Sequence, residues 1–153
     1  MKLYAITAAS LLALSSLTAT AAEPAQAGNA ADALVVTDPY ARAVPPGQPN
    51  SAVFMTLTNT LADDHALVDA SSPVAEVVEL HTHRMDDGMM RMRRVDRIEL
   101  PGGARVELKP GGLHVMLIGL TRPLVPGDQV ALNLILDDGS SRQITAPVRD
   151  IMP

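Results

Sequence analysis

The chain is predicted to fold as an all-β, single-domain β-sandwich. Three observations predict it: short apolar runs that recur every 8–12 residues, turn chemistry between nearly all of them, and no sustained helical period. The turn signals are "PPG" at 45–47, "DDG" at 86–88, "PGG" at 101–103 and 110–112, "PGD" at 126–128 and "DDGS" at 137–140. They separate strand candidates at 51–59, 65–71, 74–83, 89–95, 97–100, 104–109, 114–120, 129–137 and 141–148. In "SAVFMTLTN", Val53, Met55 and Leu57 alternate with Ala52, Phe54 and Thr56, as a half-buried strand requires, so Met55 is read as core. Neither glycine pair cradles phosphate: "KPGG" is followed by "LH", and Pro110-Gly111 suits the centre of a type II turn.

The N-terminus reads differently. Lys2 gives a short positive region, Leu3 to Leu17 are mostly apolar or small, and "ATA" and "TAA" follow at 19–22. This is the pattern of a secretory signal peptide over residues 1–22, cleaved after Ala21 or Ala22. Residues 23–33, "EPAQAGNAADA", are small and polar without a period and read as a flexible linker. The sandwich domain then spans 34–153. The expected location is the periplasm, with no stable membrane insertion after cleavage.

Composition excludes several functions. The 153 residues carry a net charge of −5, which does not suit a nucleic-acid binder. There is no cysteine, so disulfides, thiolate nucleophiles, thiolate metal sites and blue-copper centres are ruled out, and a lipid anchor on cysteine is not expected. With two Tyr, one Phe and no Trp, stacking platforms for bases or sugars are also disfavoured. No nucleophile-elbow motif is present, and the chain is not expected to be an enzyme.

What remains is a concentration of soft donors in "ELHTHRMDDGMMRMRR" at 79–94. A hairpin turning at Asp86-Asp87 sets His81 opposite Met92, and one turning at Asp87-Gly88 sets His83 opposite Met92. Either register gathers His81, His83, Met85, Met90 and Met92 on one face, with Met89 on the other. Downstream, "LHVMLIG" puts His114 and Met116 on one face of a strand, with Val115 and Leu117 facing the core. A site of His81, Met92, His114 and Met116 would offer two imidazoles and two thioethers, all uncharged. Thioethers are poor ligands for Mg and Ca, and zinc prefers thiolate, imidazole and carboxylate. Cu(I) accepts both donor types, and a neutral set leaves little charge to bury around a monovalent ion. His65, beside Asp63 and Asp64, reads as a solvated loop histidine. The arginines at 91, 93, 94 and 97 read as a solvated rim that also suits steering of an acidic partner.

These residues resemble the periplasmic copper chaperones of the PCuAC family, whose motif is His, ten residues, Met, twenty-one residues, His, one residue, Met. His81, Met92, His114 and Met116 match all four positions and every gap. "AVPPGQPNSAVFMTLTN", "ASSPVAEVVELH" and "ELKPGGLHVMLIGLTRPLVPGD" are similar to the family's surroundings, and the likeness runs over about residues 35–148. The resemblance implies a cupredoxin-like, Greek-key sandwich and Cu(I) held by those four side chains. It also implies delivery, directly or through a thiol-bearing partner chaperone, to the binuclear copper centre of cytochrome c oxidase. His83 and Met90 lie outside the motif and are expected to be accessory donors. The ending "APVRDIMP" has one Met and no His, so the additional tail site of some relatives is not expected. The expected state is a monomer. Two rival readings are a copper buffer or resistance protein without a dedicated recipient, and a structural sandwich whose Met-rich patch docks a protein.

Overall fold

A computed structural model describes residues 28–151, so the segment read as a signal peptide lies outside the described residues. The described chain is all-β, with ten strands: β1 (Leu34–Arg42), β2 (Asn50–Asn59), β3 (His65–Ser71), β4 (Ala75–Asp86), β5 (Met89–Arg94), β6 (Ile98–Leu100), β7 (Arg105–Leu108), β8 (His114–Leu120), β9 (Gln129–Leu136) and β10 (Ser141–Arg149). One sheet runs β5-β4-β8-β2-β1, with β7 also paired to β2, and the other runs β10-β9-β3-β6. β10 joins them: Ala146 and its neighbours pair with β9, while Val148 and Arg149 run parallel to Ala41 and Arg42 of β1.

The period-2 patterns fill the space between the sheets. Leu80, Val115, Val53, Ala41 and Val148 form a row across β4, β8, β2, β1 and β10, each paired with the next and all buried. Leu67, Ile98, Leu100, Val130, Leu132, Leu134 and Leu136 face them from the second sheet. Met55 belongs to this core, as its alternation predicts. The next row outward, on the other face of the first sheet, carries His81, His114, Phe54 and Tyr40.

Two features differ from the sequence reading. β1 is not among the expected strands, because "LVVTDPYAR" holds a proline and breaks its own alternation. The structure absorbs the break in a bulge: Asp38 has φ 47° and the pairing with β2 shifts between Thr37 and Tyr40. The end of the stretch read as a flexible linker is also docked. Asn29–Ala33 form a turn, with Ala30 and Ala31 buried in the core. The Asp138 carboxylate accepts from the Ala30 amide at 2.8 Å, and the Ser140 hydroxyl accepts from Ala31 at 3.0 Å. Small side chains allow the backbone to approach the β9–β10 hairpin that closely. The Ser140 hydroxyl and the Ala30 amide together bring Asp138 down to about 2.

Candidate metal centre

The β4–β5 hairpin turns at Asp87-Gly88, whose φ angles of 51° and 78° are those of a type I′ turn. This is one of the two registers that the sequence allows. It pairs Asp86 with Met89, Met85 with Met90 and His83 with Met92, while Arg94 stands opposite His81. On the other side of β4, His81 pairs with His114 and Glu79 with Met116 of β8, and Met116 pairs in turn with Ala52 of β2. One sheet face therefore carries Glu79, His81, His83, Met85, Met90, Met92, His114 and Met116. Met89 falls on the opposite face, as expected.

The four side chains of the motif share this face, in two neighbouring pairs. The rings of His81 and His114 are 5.8 Å apart, centroid to centroid; Met92 and Met116 together line a cavity of about 290 Å³, whose lining does not include the two rings. The floor and walls of that cavity also include Arg42, Pro45, Gln48 and Ala52. His83 stands closer to His114 than His81 does, at 5.3 Å between centroids. Met85 and Met90 lie further out on the arm and are exposed. His65 begins β3 in the second sheet, away from this cluster, and its Nδ1 pairs with Asp137 at 2.9 Å. It begins the strand expected at 65–71 and is held by Asp137 across the sheet rather than loose in the Asp-rich loop.

The hydrogen bonds fix which nitrogens are free. A backbone carbonyl only accepts, so the 3.0 Å contact with Gly112 O puts a proton on His114 Nδ1 and leaves the lone pair on Nε2. The Glu79 carboxylate accepts from His81 Nε2 at 2.8 Å, leaving the lone pair on Nδ1. His81 Nδ1, His83 Nδ1 and His114 Nε2 are all buried and without a hydrogen-bond partner. An orphaned buried polar atom costs about 1–3 kcal/mol, and here three gather on one face. His114 is almost fully buried, and that burial lowers its pKa from 6.5, so the ring is neutral at pH 7. The hydrogen bond from His81, reinforced by Arg94, holds the Glu79 carboxyl below its ordinary range.

Among the described residues, no group of three or more His, Cys, Asp or Glu side chains is gathered to hold a metal ion. The further donors that this face offers beside its histidines are methionine sulfurs. Two neutral nitrogens and two thioethers suit a soft, singly charged cation. Three supporting features were not read from the sequence. Glu79 was legible in principle, being two residues before His81 and so on its face. The Gly112 carbonyl is local, two residues before His114 in the turn that precedes β8, whereas the Phe54 ring, 6.1 Å from His114, comes from the β2–β8 pairing that local pattern does not encode. The larger cavity, about 520 Å³ along Ser71, Asn133 and Gln143, lies on the second sheet and contains none of these donors.

Fold and face together define a β-sandwich with a His/Met cluster on the outer side of one sheet. The family described as "Putative lipoprotein LpqE-like" matches residues 34–148, and the chain belongs to that family. It is 32% identical to "Putative lipoprotein Lxx21020" of Leifsonia xyli subsp. xyli over 80% of this chain and 74% of that protein. It is 31% identical to "Uncharacterized protein RP573" of Rickettsia prowazekii over 68% of this chain and 58% of that protein. Among solved structures, the solution structure of CuI-DR1885 from Deinococcus radiodurans is similar, with TM-score 0.63 and 37% identity over 84% of this chain and 88% of that one. The copper-bound PCuAC domain from PmoF2 shares the fold, with TM-score 0.66 and 24% identity over 78% of this chain and 94% of that domain.

Proposed function

We propose that this protein carries one Cu(I) on the outer face of its first sheet, bound by His81, Met92, His114 and Met116. The observation that carries this reading is the set of buried, unpartnered ring nitrogens on the face that bears the methionines. The carboxylate on His81 and the carbonyl on His114 are the outer contacts that orient metal-binding imidazoles. His83 and Met90 serve as accessory donors that pass the ion along the arm. The solution structure of CuI-DR1885, 37% identical, supports the choice of metal.

The protein is an exported carrier rather than an enzyme. The exposed Met92 and the half-buried His81 and Met116 suit stepwise replacement by a recipient's ligands, with the buried His114 as the last to let go. Its recipient is the binuclear copper centre of cytochrome c oxidase, reached directly or through a thiol-bearing chaperone, and it works as a periplasmic monomer. Loss of the gene is expected to lower oxidase activity at limiting copper; increased copper sensitivity with normal oxidase would instead mark a buffer. Anaerobic titration is expected to give about one Cu(I) per chain, with X-ray absorption showing mixed nitrogen and sulfur donors. A shell of nitrogen and oxygen alone would refute the thioether site.

A further inference from the structure

The outer edge of β5 is open, and its two faces differ in chemistry. β5 ends the sheet, paired only to β4, and all six of its residues are exposed. The β4–β8 ladder ends at His81 opposite His114 and one more bond joins the His83 amide to Gly112 O, so beyond His83 the hairpin extends past β8 as an arm. Met90 and Met92 point to the His/Met face, while Arg91 and Arg93 point to the other. On that second face Arg84 and Arg91 are directly opposed, an arrangement that destabilises a strand pair. Arg93 is held by Asp86 at 2.9 Å, but among the described residues neither Arg84 nor Arg91 has a carboxylate within 4.0 Å. Residues 84–94 hold four arginines against two aspartates, in a chain whose net charge is −5.

We infer that this edge receives an extended segment of the copper recipient in which Asp or Glu alternates with a sulfur-bearing residue. An added strand presents successive side chains to opposite faces of the sheet. Its acidic positions then lie beside Arg91 and Arg93 of β5, with Arg84 one strand further in opposite Arg91, and its sulfur positions lie beside Met90 and Met92. A second copy of this chain is a poor occupant, because antiparallel β5–β5 pairing sets arginine against arginine. The inference deepens the proposed function by naming the recipient's chemistry. Its sulfur half rests on that reading; its acidic half does not.

The test uses copper-free, ¹⁵N-labelled protein titrated with three peptides: four Glu-Met repeats, four Glu followed by four Met, and four Lys-Met repeats. The alternating acidic peptide is expected to bind about tenfold more tightly than the block peptide of equal composition, with amide shifts centred on β5. Double charge reversal, Arg84→Glu with Arg91→Glu, is expected to weaken it about tenfold and turn the preference to Lys-Met. Arg84→Gln with Arg91→Gln gives an intermediate affinity and guards against a folding defect in the reversed variant. Equal binding of the two acidic peptides, indifference to charge reversal, shifts away from β5, or binding only to phosphatidylglycerol vesicles would each overturn the inference. Cu(I) stoichiometry is measured separately on the same proteins. Failure to take copper, with the peptide preference intact, removes the carrier reading and leaves the acidic docking edge.

Discussion

At the scale of single residues, hydrogen bonds set the tautomers of His81 and His114 on the proposed metal face. His81 shows this most directly. Its Nε2 proton is committed to Glu79, so Nδ1 is the nitrogen offered. Glu79 also holds Arg94 at 3.6 Å, which leaves the carboxylate ionised and its partner ring oriented. Glu79→Gln keeps the shape but removes the charge that orients and polarises the imidazole. It is expected to weaken Cu(I) about tenfold, the low end of the usual effect of an outer-contact substitution. Competition against a chromophoric Cu(I) chelator measures it, with Glu76→Gln as the control. Unchanged affinity in Glu79→Gln would mean that His81 binds through Nε2 or not at all. His114 needs no such partner to stay neutral, because its burial already disfavours the proton. Proton competition at this ring therefore begins below pH 6.5.

The element that matters most is the β4–β5 hairpin. Its turn has a positive φ at both central positions, and Gly88 at 78° is the one where a side chain costs about 1–2 kcal/mol. A Cβ there would meet nothing within 4 Å, so the penalty in Gly88→Ala is purely conformational. The arm projects past β8, so this penalty is paid by local fraying rather than by the sandwich. Amide exchange along β5 is expected to speed up roughly five- to tenfold, with the thermal midpoint almost unchanged. A fall of the midpoint equal to that of a core substitution would show that the arm and the sandwich unfold as one unit. The hairpin also marks the boundary of what could be read in advance. Alternation and turn spacing located it, but Asp86-Asp87 and Asp87-Gly88 both tolerate left-handed backbone. Only the closed ladder decides that His83, not His81, faces Met92. β1 escaped for a similar reason: its register is set by β2 and a bulge at Asp38, while its own sequence reads as a proline-broken loop. The docked turn at 29–33 was hidden because its stability comes from Asp138 and Ser140, more than a hundred residues away.

For the whole molecule, the ionisable groups make one collective statement about pH. Asp38, Glu79, Asp137 and Asp138 have lowered pKa values, and His114 is lowered as well. The causes differ: Arg149 holds Asp38, His81 holds Glu79, Ser140 and the Ala30 amide hold Asp138, and burial acts on His114. The sign is the same throughout, because each group binds a proton more readily in the unfolded chain than in the folded one. Where the unfolded state holds more protons, stability rises with pH. The His114 contribution is complete above its ordinary value of 6.5 and is lost as pH falls through its lowered value. The carboxylate contributions are complete above their ordinary values of 3.8 to 4.5, and that of Asp138 is lost as pH falls towards about 2. For the copper-free protein, the urea midpoint is therefore expected to be level from pH 7 to about 8.5, to decline below about 6.5, and to fall steeply below about 4.5. His114→Gln removes the upper step and leaves the lower one; Asp138→Asn removes part of the lower step and loosens the turn at 29–33. A midpoint that rises between pH 7 and pH 5 would require a group that gains its proton on folding. It would overturn the assignment of His114 as a neutral ring waiting for a cation.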